Sequence, residues 1–276
     1  MDVASGTSIT FELTTRGSIM TRFARYGAFV VGTIACLAIM PVAQATVLYS
    51  SPMTAPPLTA GNLVGQDGWA SHSGAGLIPI QVSGSGTLVD SNGGGTREDA
   101  NVSFTPISAG QTYYFGFDCI VSGGATQVYF AHFKDAASDF TTRTFVTSSF
   151  VGGDFVFGVS PAGSSPNVTW PTGMLFGQSY KVVGSYNADT LECKLWVDPT
   201  SESSTSISAI DGAANAVSAF ALRQATADNT QLITNLVVAT SFSDIVPVPE
   251  PSSMALGTIA AGLVGISWLR RKLKAS

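Results

Sequence analysis

Between residues 46 and 246, apolar and polar positions follow a two-residue rhythm in short runs, and Gly, Ser, Asn and Asp punctuate them. The clearest runs predict strands at residues 112–121, 126–133, 140–147, 154–159, 180–187, 192–197 and 234–240. Weaker runs predict three more at 87–91, 101–105 and 216–222. Over 113–117 and 127–133, aromatic and small apolar residues alternate with residues suited to an outer face, as in a sheet with one buried side. No long helix-period segment interrupts the pattern, and no internal repeat stands out. About ten strands in about 200 residues predict an all-β body, a single antiparallel β-sandwich over residues 46–246.

Two apolar stretches flank this body. At the N-terminal end, Arg22 and Arg25 precede an apolar run over residues 26–40, and Pro41 breaks any helix there. Ala43 and Ala45 then supply small residues at the −3 and −1 positions of a cleavage site. Residues 1–45 therefore read as a signal peptide with its signal helix, removed by signal peptidase so that Thr46 starts the mature chain. Met20 offers an alternative true start. An uncleaved anchor helix is the competing reading. Cys36 also raises lipidation, although Thr33 stands where a lipobox usually has Leu.

At the other end, Pro249-Glu250-Pro251 and Ser252-Ser253 lead into an apolar run over residues 254–269 and then Arg270-Arg271-Lys272-Leu273-Lys274. A helix of 16 residues would be about 24 Å long, short of the ~30 Å hydrocarbon core, so it would span as a transmembrane helix only with local adjustment. The basic cluster would stay cytoplasmic, leaving the body outside. This tail, with Gly257, Gly262 and Gly265 in its apolar run, resembles the PEP-CTERM sorting signal over residues 247–276. The resemblance implies an exosortase, a membrane protease-transpeptidase, as partner. It also implies a bacterium of Gram-negative type that makes exopolysaccharide. The expected route is inner-membrane anchoring during processing, then the cell surface or extracellular matrix.

Charge narrows the function classes. Charged residues make up 11% of the chain and hydrophobic ones 45%, too apolar for disorder. Between residues 46 and 249 there are six basic side chains (Arg97, Lys134, Arg143, Lys181, Lys194, Arg223) against fifteen acidic ones, a net of −9. So acidic a body excludes nucleic acid, which is bound through displaced counterions on a basic surface.

One segment goes further. Tyr180-Lys-Val-Val-Gly-Ser-Tyr186 and Glu192-Cys-Lys-Leu-Trp-Val-Asp198 flank a polar turn, and Pro199 ends the pairing. This hairpin resembles one found in concanavalin-like, laminin-G-like jelly rolls. The resemblance implies two curved antiparallel sheets and, in many relatives, a sugar-holding face or rim.

Catalytic signatures are sparse. The body has two histidines, His72 and His132, the latter on the alternation of a strand and read as structural. Gly-x-Ser-x-Gly, His-Glu-x-x-His and Cys-x-x-Cys are all missing, which leaves a hydrolase elbow and zinc unsupported. Glycoside hydrolysis, the enzymatic alternative, asks for two carboxylates about 5–9 Å apart. The body's glutamates, Glu98, Glu192 and Glu202, are dispersed. No cofactor is expected, with calcium as the exception: Asp135 and Asp139 flank a small-residue loop, though such residues are also turn formers.

For a glycan, the requirement is an aromatic platform with polar groups. Trp69 and Trp170 stand in loop-like contexts and are the candidates, Tyr129 is also available, and Trp196 belongs in a strand and the core. Cys119 and Cys193 both fall in predicted strands. A disulfide between them would close a loop of about 75 residues and stabilise by about 4 kcal/mol; two buried thiols are the alternative. The expectation is an exported, non-enzymatic protein that binds glycan, exopolysaccharide or matrix partners. A glycoside hydrolase and a purely structural matrix protein stand as the alternatives.

Overall fold

The computed structural model describes residues 46–106, 110–137 and 139–247. The signal segment with Ala43 and Ala45, and the tail with Pro249, Glu250, Pro251 and the apolar run 254–269, lie outside the described residues. Among the described residues, no helix is long and apolar enough to cross a membrane.

Two antiparallel sheets account for the described body. The first contains β1 (Val47–Ser51), β2 (Gly61–Asn62), β4 (Gln81–Ser83), β5 (Gly86–Asp90), β7 (Thr112–Gly123), β12 (Ser179–Asn187), β13 (Glu192–Val197), β14 (Ile207–Ile210) and β16 (Asn229–Ala239). Their order is β14-β13-β12-β7-β16-β5-β4-β2, with β1 also paired to β16. The second contains β3 (Trp69–Ser73), β6 (Asp99–Ser103), β8 (Val128–Lys134), β9 (Phe140–Ser148), β10 (Phe155–Ser160), β11 (Val168–Thr169) and β15 (Ala219–Leu222). Its order is β11-β10-β9-β8-β15-β6-β3.

All ten strands expected from the pattern are present, with ends shifted by a few residues. The strands not foreseen are short or peripheral. β3, for example, reads Trp-Ala-Ser-His-Ser and pairs only with β6.

Alternation explains the packing. Along β7, Tyr113, Phe115, Phe117, Cys119 and Val121 point inward to the main core, while Tyr114 joins a small separate cluster on the other side. Facing them, Phe130 and Phe133 of β8 and Phe220 of β15 close the sandwich. The Phe115 ring lies 5.0 Å from Phe133 and 5.1 Å from Phe220, both in angled geometries that aromatic quadrupoles favour. Gly184 pairs directly with Phe115 across β12 and β7, and a Cβ there would overlap the Phe115 ring. The glycine in the middle of the β12–β13 hairpin is thus the space the phenyl group occupies.

On the outer side of the nine-stranded sheet, α1 (Phe242–Ile245) packs Phe242 and Ile245 against Tyr114 and Trp196. Trp196 is buried there, and its Nε1–H donates to the Glu202 carbonyl at 3.2 Å.

The disulfide does not form. Cys119 and Cys193 are both buried free thiols. Cys119 pairs with Tyr180 on one side of β12, and Cys193 pairs with Tyr186 on the other. They are therefore two strand spacings apart laterally and six residues apart along the sheet, about 22 Å in all. A disulfide needs Cα atoms within about 7 Å. Burial pushes both thiols up from their ordinary values.

Candidate functional site

The two tryptophans do not make a platform. Trp69 begins β3 and Trp170 follows β11, the opposite edges of the seven-stranded sheet. Six strand spacings separate those edges, about 29 Å. Trp69 is buried, stacks edge-on to Phe220 and donates from Nε1 to the Tyr49 hydroxyl at 2.8 Å. Tyr49 in turn donates to Asp67 at 2.8 Å. Burial and the Asp67 carboxylate both push the Tyr49 phenol above its ordinary value. Trp69 is therefore an anchor for the 59–69 loop and is withdrawn as a ligand platform. Beside it lies a concavity of about 540 Å³ lined by residues including Ser50, Pro57, Gln66 and Asp67. Trp170 is half-buried against the main core, its backbone N–H bonded to the Phe157 carbonyl at 2.7 Å.

Asp135 is committed to its own turn. Its Oδ1 accepts from the backbone N–H of Ala137 at 2.9 Å and of Asp139 at 3.0 Å. Among the described residues, no group of three or more His, Cys, Asp or Glu side chains is placed to hold a metal.

The concentration of chemistry lies elsewhere, on the outer face of the seven-stranded sheet. Register places it there. Phe220 pairs with Phe133 and Val102 toward the core, so the neighbouring pairs, Ala221 with His132 and Asn101, face away from it. Lys134, opposite Ala219, shares that outer face. From β3 comes His72, from β6 Asp99, from β9 Phe140 and Arg143, and from just beyond β15 Arg223. The Arg223 N–H is tied to the Phe130 carbonyl at 2.8 Å. β8 changes register against β9 on both sides of Ala131, and this irregularity sends Tyr129 outward while Phe130 and Phe133 point in.

The groups touch. The His72 and His132 rings are 5.9 Å apart at 81°, and His132 lies 4.5 Å from Phe140 and 5.6 Å from Tyr129. The Arg223 guanidinium sits 4.1 Å from the centre of the Tyr129 ring, and the Arg143 guanidinium 5.1 Å from the same ring. Asp99 is held by the Ser73 hydroxyl at 2.7 Å and the Gln224 backbone N–H at 2.8 Å.

Burial sets the protonation of this face. Both ring nitrogens of His132, and Nε2 of His72, are buried with no hydrogen-bond partner among the described residues. Desolvation holds His132 well below its ordinary value, and His72, Arg143, Arg223 and Lys134 push in the same direction. Desolvation also lowers His72, against the pull of Asp99 and with the help of Lys134 and Arg223. Asp99 is raised by its own burial, partly offset by its hydrogen bonds. At neutral pH the pair is two uncharged imidazoles among three cations, a surface that can donate to hydroxyls and oxyanions.

Sequence reasoning placed His132 on a strand but did not foresee this face, because its members come from five separated segments. The available signal was charge: Lys134, Arg143 and Arg223 are half the body's basic residues.

Comparison with known proteins adds two kinds of finding. No curated protein sequence matches the chain. Among solved structures, a sialidase superposes with a TM-score of 0.47 at 13% identity, over 73% of this chain and only 19% of the sialidase chain. The carbohydrate-binding module CBM66 from Bacillus subtilis gives 0.38 at 17% identity, over 61% of this chain and 93% of its own. Basic winged bean lectin, determined with Tn-antigen, gives 0.43 at 12%, over 72% and 99%. At these scores no activity passes from them to this protein. The family comparison concerns the tail alone, and it matches residues 247–272. The chain is thus an exported protein that carries a PEP-CTERM protein-sorting motif at its C-terminal end.

Proposed function

We propose that the exported body is a non-enzymatic glycan-binding protein and that it binds through the outer face of the seven-stranded sheet. The observation that carries this reading is the His72–His132 pair, with buried ring nitrogens that lack protein partners beside the Tyr129 and Phe140 rings. A sugar offers what such a face lacks: hydroxyls for imidazole and guanidinium, and a C–H face for an aromatic ring. The PEP-CTERM motif supports processing by an exosortase and delivery to the cell surface or extracellular matrix.

The non-enzymatic part is supported by where the carboxylates are spent. Asp99, at the site, is held by Ser73 and Gln224. Glu98 accepts from the Gly76 N–H at 3.0 Å, Glu192 pairs with Lys194, and Glu202 accepts from the Tyr114 hydroxyl at 2.6 Å. A general acid facing a second carboxylate across a sugar is not built from these.

The test is a glycan array probed with the purified protein and with Tyr129→Ala. Binding by the parent and its loss in the variant is the expected result. Binding that survives Tyr129→Ala unchanged would move the site elsewhere, and release of reducing ends from a bound polysaccharide would overturn the non-enzymatic reading.

A further inference from the structure

The six basic side chains of the body divide into two sets. Three are neutralised where they stand: Arg97 by Asp90 at 3.1 Å, Lys181 by Asp118 at 3.7 Å and Lys194 by Glu192 at 3.1 Å. The other three, Lys134, Arg143 and Arg223, make no ion pair among the described residues. All three stand around the His72–His132 pair.

A body carrying −9 has thus gathered its uncompensated positive charge on one sheet face. In so acidic a chain, free cations would be expected to pair with the nearest carboxylate, as the first three do. Here the one carboxylate among them, Asp99, takes its hydrogen bonds from Ser73 and Gln224.

The cations are also held in place. Arg223 is flattened against Tyr129, Arg143 donates through Nη1 to the Gly163 carbonyl at 2.9 Å, and Lys134 donates to the Asp135 carbonyl at 2.8 Å. Arg143 keeps a buried Nε–H with no partner among the described residues, as His132 does at both ring nitrogens. Fixed guanidinium groups with spare N–H donors match the oxygens of a carboxylate or sulfate, and unpaired buried donors are costly until such oxygens arrive.

From this we infer that the ligand of this face is an acidic polysaccharide, its oxyanions seated between Arg143, Arg223 and Lys134. The inference rests on the glycan-binding reading and adds the charge of the sugar.

The test is calorimetric titration of the purified protein with polygalacturonate, dextran sulfate and neutral dextran, each at low and high salt. Arg143→Gln and Arg223→Gln probe the face, and Lys181→Gln, which removes an ion-paired cation of the other sheet, serves as control. The expected result is binding of one or both acidic polymers, weakened by salt and at least tenfold weaker in each arginine variant, with Lys181→Gln unchanged. Polygalacturonate and dextran sulfate then tell carboxylate from sulfate. Because salt dependence is read on the parent protein, the test stands even if an arginine variant fails to fold. Equal, salt-insensitive binding of dextran would overturn the acidic ligand and leave glycan binding intact. Equal losses in Lys181→Gln would overturn the localised site. Binding of none of the three polymers, together with an empty glycan array, would remove the glycan reading itself.

Discussion

Acid should weaken this fold through His132, and the size of the effect follows from its burial. The ordinary imidazole value is 6.5, and in the fold His132 is held well below it by desolvation and by the neighbouring cations. The unfolded chain therefore takes up a proton near pH 6.5 that the folded chain refuses. Stability is fully present above that value and is lost as pH falls toward the folded value.

At about pH 5.5, one such histidine costs about 1.4 kcal/mol relative to alkaline pH, the free energy of protonating the unfolded imidazole tenfold in excess. For a domain of this size that corresponds to about 3–6 °C in Tm. His72 is shifted in the same direction and adds to the loss, while Asp99, raised by burial, offsets part of it at the acid end. Urea denaturation between about pH 8 and pH 5.5, on the parent and on His132→Phe, isolates the histidine because every other group is common to both. The parent should lose about 1.4 kcal/mol more than the variant over that interval. Equal losses would mean that His132 is protonated in the fold, and the account of this face as neutral imidazoles among cations would fail.

Four further outcomes follow from the packing. Gly184→Ala should cost about 1–3 kcal/mol, because the new methyl group meets the Phe115 ring; a scanning-calorimetry Tm equal to the parent's would contradict it. Trp69→Ala should cost about 3–5 kcal/mol and Trp170→Ala clearly less, since only Trp69 is fully enclosed; urea midpoints in the reverse order would refute the assignment. Cys119 and Cys193 should react with a thiol reagent only on unfolding, with Tm indifferent to reductant, and a Tm that drops on reduction would restore the disulfide. Mass spectrometry of protein recovered from its native cells should find a chain starting near Thr46 and ending within residues 249–253, whereas a membrane-bound chain retaining residues 254–276 would show an ordinary anchor.

The strands were legible because their inward positions are unmistakable. Phe115, Phe117, Phe155 and Phe157 recur at a spacing of two, and no other element type buries that pattern. The candidate face was not legible, for two physical reasons. Strict alternation back from Phe133 assigns Tyr129 to the core, and only the register shift around Ala131 turns it outward. The pairing order was also invisible. β8 lies between β9 and β15, which brings Arg143 and Arg223 together on Tyr129 although 80 positions separate them in the chain. Trp69 misled for a related reason. Its Gly-rich approach reads as a loop, yet the indole is the plug that closes the sandwich edge against Phe220.

The short helix α1 decides how the body would hang from a tether. Val47 pairs with Ala239, and after β16 the chain turns at Ser241 to lay Phe242 and Ile245 on the back of the nine-stranded sheet. Both of the body's covalent exits are therefore on that sheet, while the cationic face belongs to the outward side of the other one. A leash attached after Pro247 pulls from behind the sandwich. The positively charged face is then free to meet polymer arriving from outside, shielded by the thickness of two sheets from the anionic headgroups at the point of attachment.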